Sequence, residues 1–224
     1  TCVNVGCVPS KHLLAVAESA HVLRRKPFQG VTYPEQPATI DWPTIREQKD
    51  ALIKELREQN YITVADHYGT DVYTARGRLT DESTIELTTG DHAGISVIGN
   101  VLLIATGSSP FVPSIDGVDS VPHETSESIL EREALPESIV ILGGGFVAME
   151  WGQILHRLGV KVTILQRSDH VLSRMEGQLG RALEQYLADE GLRILTGTQV
   201  EKVQQHTDGV EVQYQHKSEI SSLT

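Results

Sequence analysis

The chain has 224 residues, 39% hydrophobic and 22% charged, which suits a soluble globular protein of one to two domains with ample material for a core. Nineteen Lys and Arg against thirty Asp and Glu give a net charge of −11. That balance excludes nucleic acid or an anionic membrane surface as the main partner, and no apolar run reaches the ~18 residues of a membrane span.

The chain opens on Thr1-Cys-Val-Asn-Val-Gly-Cys-Val-Pro-Ser-Lys11, which holds both of its cysteines, Cys2 and Cys7. No signal peptide is visible, and a start at Thr rather than Met inside a cysteine motif leads us to expect residues upstream. So sparing a use of cysteine fits a reducing cytoplasm. The intervening Val-Asn-Val-Gly is short enough to loop the two sulfurs together. Pro9 and Ser10 read as a helix start, and a thiol there faces partial positive charge that lowers its pKa. These features suit a redox-active dithiol, although spacing alone leaves a structural disulfide or an incidental pair open. A zinc site would want four ligands, and only His12 is near.

A helix is expected over Ser10–Lys26, with Leu13, Leu14, Ala17 and Ala20 at helical spacing and Arg24, Arg25 and Lys26 at its end. Residues 27–43 form a turn-rich connection with Gly30, Pro34 and Pro37. A second helix should run from Thr44 to Val64, with Ile45, Leu52, Ile53 and Leu56 on one face and Lys49 among the charged residues on the others. Strands are expected at Val72–Leu79, Thr84–Thr88 and Ser96–Ile104. The last reads as a buried strand that runs into Ala105-Thr106-Gly107, a turn that can bring backbone close to a cofactor. A short helix, Ser126–Arg132, lies in the connection before a domain boundary at 135/136.

Ile139–Leu142 then reads as a strand, followed by Gly143-Gly144-Gly145-Phe146-Val147-Ala148, a helix to Leu158 and a strand over Val160–Gln166. This is βαβ with G-x-G-x-x-A at its first turn: Gly143 permits the turn, Gly145 lets backbone approach a pyrophosphate, and Ala148 allows close helix-to-strand contact. The strand ends on Gln166 and Arg167 with no acid for a ribose hydroxyl, so Arg167 is assigned to a 2′-phosphate and the cofactor to NADPH. A second basic residue six positions on is absent, since that place is Ser173, and Arg174 comes one step late. A helix over Glu176–Glu190 and strands at Arg193–Leu195, Gln199–Gln204 and Val210–Gln215 follow. Lys217–Thr224 is expected to be a tail or to stop within a domain. His67, His123, His170, His206 and His216 lack ligand spacing and are expected at the surface.

Thr1 to Lys11, with both cysteines, Gly6, Pro9 and Lys11 in place, resembles the active-site signature of the flavin- and pyridine-nucleotide-dependent disulfide oxidoreductases. The resemblance implies a three-layer α/β fold with two Rossmann-like dinucleotide-binding domains. Residues 1–135 would be a partial FAD domain carrying the dithiol, and 136–224 an inserted NADPH domain truncated at its C-terminus. Cys2 would be the interchange thiol and Cys7 the thiol against the flavin. Thr1, Gly6, Ser10, Lys11 and Ala105-Thr106-Gly107 would lie on the FAD side. Gly143, Gly145, Phe146, Val147, Ala148, Gln166 and Arg167 would hold NADPH, with Glu150 reaching the nicotinamide and flavin region and pairing with Lys11.

Within the family the chain is most similar to the mercuric reductases, through Thr-Cys-Val-Asn-Val-Gly, the Glu-Leu-Arg-x-x-x-Tyr helix end and the NADPH-type strand end. That likeness implies Hg(II) as substrate, Cys2 and Cys7 as its ligands, Tyr61 as a residue that reaches it, and a cytoplasmic homodimer serving mercury detoxification. A first flavin-binding glycine motif and a dimerisation domain would lie outside the chain, which is not expected to turn over alone. A dihydrolipoamide dehydrogenase or glutathione reductase is the alternative. A non-enzymatic thiol module that binds soft metals is a third reading.

Overall fold

The computed structural model describes residues 1–36 and 38–224; Pro37, one of the expected turn prolines, lies outside the described residues. The chain packs as two compact units, Thr1–Ile53 with Pro110–Thr224, and Lys54–Ser109. The 1–135/136–224 partition implied by the resemblance is one of cofactor roles, which compactness alone does not test.

In the first unit, α1 (Cys2–Val5) and α2 (Cys7–Arg25) are separated by Gly6 alone. The helix thus begins three residues before the expected Ser10. Ser10 does not cap; its hydroxyl donates back to the Gly6 carbonyl at 2.7 Å. Pro9 still falls in the first turn, where its missing N–H costs nothing. The buried face of α2 is Pro9, Leu13, Ala17 and Ala20, a helical stripe. Helix α3 (Trp42–Arg57) begins at Trp42, which is buried and donates its indole N–H to the Arg132 carbonyl at 2.9 Å. Lys49, expected at the surface, is 1% exposed. Its stem is covered and its ammonium meets the Leu130 carbonyl at 2.8 Å and Asp50 at 2.8 Å, so the charge is buried with partners. The expected helix at Ser126–Arg132 contracts to a 3-10 turn, Ser128–Glu131, which supplies that carbonyl.

The nucleotide-type segment is β4 (Ser138–Leu142), α5 (Phe146–Arg157), β5 (Lys161–Leu165), α6 (Gly177–Asp189) and β6 (Arg193–Leu195). The three strands form a parallel sheet with β5 in the middle and Ile141 level with Ile164. This is half of a doubly wound fold, as the alternation of apolar runs and amphipathic stretches implies. Ile154 of α5 and Ile164 of β5 are wholly buried, and Leu13 and Ala17 of α2 join them in one core with Leu155, Leu187 and Leu192. Each leucine and isoleucine among them contributes about 1.5–3 kcal/mol by leaving water.

Strands β7 (Thr198–His206), β8 (Gly209–His216) and β9 (Glu219–Leu223) form an antiparallel meander. Strand β9 replaces the expected tail. Its hairpin turns through Lys217 and Ser218, both with positive φ (49° and 69°). A turn of that shape normally announces itself by Asn-Gly, and this one does not. The preceding connection is pinned to the meander, since Val203 N–H donates to the Asp116 carbonyl at 2.9 Å. Gly117 permits this approach: φ is +84°, and a Cβ would land 2.1 Å from the Val203 carbonyl oxygen.

In the second unit, helical geometry continues through a π-helical turn, Glu58–Ile62, into α4 (Thr63–His67). The expected helix to Val64 is therefore present but interrupted. An antiparallel meander follows: β1 (Gly77–Leu79), β2 (Thr84–Leu87) and β3 (Ser96–Ile98). Strand β3 ends six residues before the expected Ile104. Val101 and Leu103 are 87% and 89% exposed instead of buried. Residues 101–104 have strand composition, but a strand exists only against a neighbour, and no strand among the described residues pairs with them.

Candidate dithiol and dinucleotide site

Cys2 and Cys7 are both free and exposed. Cys2 opens α1 and Cys7 opens α2, so the single residue between the two helices decides how closely the thiols approach. A Cβ at Gly6 would stand 3.2 Å from the Cα of Cys2 and 3.2 Å from the Thr1 carbonyl oxygen. Any side chain there pushes Cys2 away. The expected lowering of the thiol pKa does not hold for Cys7. Hydrogen bonding to Cys2 and repulsion from it push Cys7 above its ordinary value, and the attraction of Lys11 only partly offsets this.

Lys11 Nζ pairs with Glu150 Oε1, joining the first turns of α2 to the first turns of α5. Residues 139 apart in sequence thus meet, as expected for that pair. Gly143 has φ +101°, and neither it nor Gly145 has an atom within 4 Å of a built Cβ. This open backbone lies at the N-terminus of α5, where N–H groups and the helix dipole suit a phosphate, so the residues fit a dinucleotide. Phe146 and Val147 are exposed beside it, while Ala148 packs on the core. Arg167 is exposed and forms no ion pair among the described residues, so it is available to an anion. Thr1 is exposed, and Ser10 is half-buried.

Tyr61, Ala105, Thr106 and Gly107 belong to the second unit. Tyr61 lies in the π-helical turn and is exposed, and Gly107 has φ +76° with open space around a built Cβ. Of the five histidines expected at the surface, His170 and His216 are half-buried. They bond the Val171 carbonyl at 2.9 Å and the Thr198 hydroxyl at 2.8 Å. Among the described residues no three His, Cys, Asp or Glu side chains group as a metal site.

Two features of the site were not foreseen. Gly144, the middle glycine, is as constrained as its neighbours are free: a Cβ would meet Gln166 Cγ at 3.0 Å, Cδ at 3.1 Å and Cβ at 3.2 Å. Gln166 is buried beneath it, with its side-chain N–H 3.4 Å from the His170 carbonyl. It shapes the glycine turn from below. The second is a charged cluster at the far end of α5. Arg157 donates to Glu190 through Nε (3.0 Å) and Nη2 (2.8 Å), and to Glu18 of α2 through Nη1. Arg24 of α2 donates to the Arg157 carbonyl. The guanidinium holds the Glu190 carboxyl below its ordinary range, and burial holds His21 below its own. The sequence signal was a spacing: Lys11 to Glu18 and Glu150 to Arg157 are both seven residues, two helical turns.

A parallel βαβαβ segment whose first turn presents open backbone to phosphates, packed through its first helix on a helix that opens at one of two neighbouring thiols, defines a dinucleotide-dependent thiol oxidoreductase fold. The chain belongs to the pyridine nucleotide-disulphide oxidoreductase family, whose pattern it matches over residues 1–223. It is similar to the mercuric reductase of Staphylococcus aureus, 35% identical over 206 residues, which cover 92% of this chain and 36% of that protein. The mercuric reductase of Streptomyces lividans is 39% identical over 211 residues, 94% of this chain and 44% of that protein. The chain thus spans about a third to under half the length of these relatives. Among solved structures, the HOCl-induced flavoprotein disulfide reductase RclA of Escherichia coli superposes with a TM-score of 0.79 at 25% identity. That match covers 99% of this chain and 46% of the other. The family's cofactors are FAD and a nicotinamide nucleotide.

Proposed function

We propose that the chain is the dithiol and nucleotide-binding part of an NADPH-dependent FAD enzyme that reduces Hg(II) to Hg(0). The observation that carries this is the pair of free, exposed thiols brought close by Gly6, with no group of further hard ligands among the described residues. Two thiolates are soft donors and favour a soft ion. The names of the Staphylococcus and Streptomyces relatives support the same substrate.

Each thiol releases its proton as it takes the metal, and Lys11 beside Cys7 favours the charged form. Glu150 holds that ammonium in place. The open backbone of Gly143 and Gly145 receives the pyrophosphate, and Arg167 takes the 2′-phosphate that distinguishes NADPH. Bound FAD supplies the two electrons that NADPH delivers. The roles of Tyr61 toward the metal and of Ala105, Thr106 and Gly107 toward the flavin rest on the resemblance, as does assembly as a homodimer.

The test is NADPH oxidation by the full-length protein with Hg(II) in excess thiol, beside lipoamide and glutathione disulfide. Mercury-dependent turnover that vanishes in Cys2→Ala is the expected result. Turnover of an organic disulfide with inhibition by Hg(II) would replace mercury as substrate and keep the cofactors.

A further inference from the structure

We infer that Arg157 is a positioning residue that sets the register of the dithiol helix α2 along the nucleotide-side helix α5. The two cross-helix pairs, Lys11 with Glu150 and Glu18 with Arg157, are both 139 residues apart in sequence. The helices therefore run in the same direction, and each carries its two charges two turns apart. The signs alternate: positive on α2 at the first rung, negative at the second. A two-turn slip one way sets Lys11 against Arg157; the other way sets Glu18 against Glu150. Both are like-charge contacts, so the pattern admits one register, as alternated charges do between helices of a coiled coil.

The rungs are not equivalent. The Lys11 and Glu150 side chains are 54% and 43% exposed, so water and salt screen that pair. At the second rung Glu18 is 53% exposed, but the Arg157 side chain is 10% exposed and is held in a two-pronged grip by Glu190. A guanidinium fixed this way presents its remaining N–H at a set place, and Glu18 docks on it. Arg24 closes the end of α5 from the same helix. Helix α2 and the end of α6 thus both converge on Arg157, and it forms the rigid end of this rung. Eleven residues separate Glu18 from Cys7, about 16 Å of helix at 1.5 Å per residue. Fixing the register at Glu18 fixes where Cys7 and Lys11 stand against Glu150.

The consequence for turnover rests on the proposed dithiol chemistry; the consequence for α2 does not. The experiment takes the FAD-loaded full-length protein and its Arg157→Met and Glu18→Gln variants, the second leaving the Arg157–Glu190 grip intact. Amide exchange is followed over 7–13, at the far end of α2, and over 18–25. Loss of the rung should speed exchange over 7–13 roughly five- to thirty-fold in both variants. It should also lower kcat without changing KM for NADPH, since Arg157 is remote from the glycine turn. Faster exchange confined to 18–25 and the end of α5 would overturn the inference and leave Arg157 a local strut. Faster exchange over 7–13 in a protein that shows no mercury- or disulfide-dependent turnover even as wild type would sustain the register and defeat the functional reading instead.

Discussion

Gly144→Ala probes the least obvious contact of the glycine turn. The added methyl would stand 3.0, 3.1 and 3.2 Å from Gln166 Cγ, Cδ and Cβ, where carbon atoms prefer about 3.5–4.0 Å. The first two could swing aside only by pulling the buried side chain off the His170 carbonyl. The third moves only with the backbone, which is held on both sides: Gln166 N–H donates to the Leu195 carbonyl at 2.8 Å, and its carbonyl accepts from Thr198 at 2.9 Å. Overpacking of this kind costs about 1–3 kcal/mol. In a Gln166→Ala background two of the three contacts vanish, and the same substitution should cost about 1 kcal/mol less. That difference exceeds the roughly 0.3–0.5 kcal/mol scatter of independent sites. Urea unfolding of the wild type, both single variants and the double variant measures it directly. Titration with NADPH should show weakening of about five-fold in Gly144→Ala, partly recovered in the double variant, because about 1 kcal/mol is close to that factor. Strictly additive unfolding energies would refute the idea that Gln166 supports the turn.

Three further outcomes are expected. Lys49→Met should lose about 1–3 kcal/mol of unfolding free energy by stranding the Leu130 carbonyl, and Lys49→Ala about 2 kcal/mol more from lost stem packing; equal losses would mean that the stem contributes nothing. Glu190 has its carboxyl depressed by Arg157, so the stability it adds is present above the ordinary value of 4.5 and is lost as pH falls through the folded value. Urea unfolding from neutral pH downward should show a shallower acid decline in Arg157→Met, and an unchanged slope would count against the linkage. Removing the repulsion with Cys2→Ala should move the pH profile for iodoacetamide labelling of Cys7 to lower pH, whereas a profile that stays in place would show that Cys2 does not raise it.

What the sequence could declare was whatever depends on local pattern. The βαβ segment was readable because its strands are short apolar runs and its turn must be glycine, and the Lys11–Glu150 contact followed from the family resemblance. Lys49 was misplaced because a buried lysine looks the same in sequence as a solvated one; only the Leu130 carbonyl at its tip makes burial tolerable. Strand β9 was missed because its turn uses Lys217 and Ser218 where glycine and asparagine are usual. Residues 101–104 were read as a strand from composition, yet pairing is a property of two segments and not of one. The weight on Gln166 was invisible for the same reason, since nothing near position 166 in the chain tells that Gly144 sits above it.

The unpaired run from Val101 to Thr106 has a practical consequence. It combines β-branched and apolar residues, carries no charge and contains no proline, the composition from which stacked intermolecular sheets nucleate. Wherever it is left bare, such a stretch recruits its own kind, so partly unfolded or partnerless forms of the protein should become turbid on concentration. A gatekeeping charge such as Val101→Lys, placed at a residue that is already 87% exposed, should delay that turbidity.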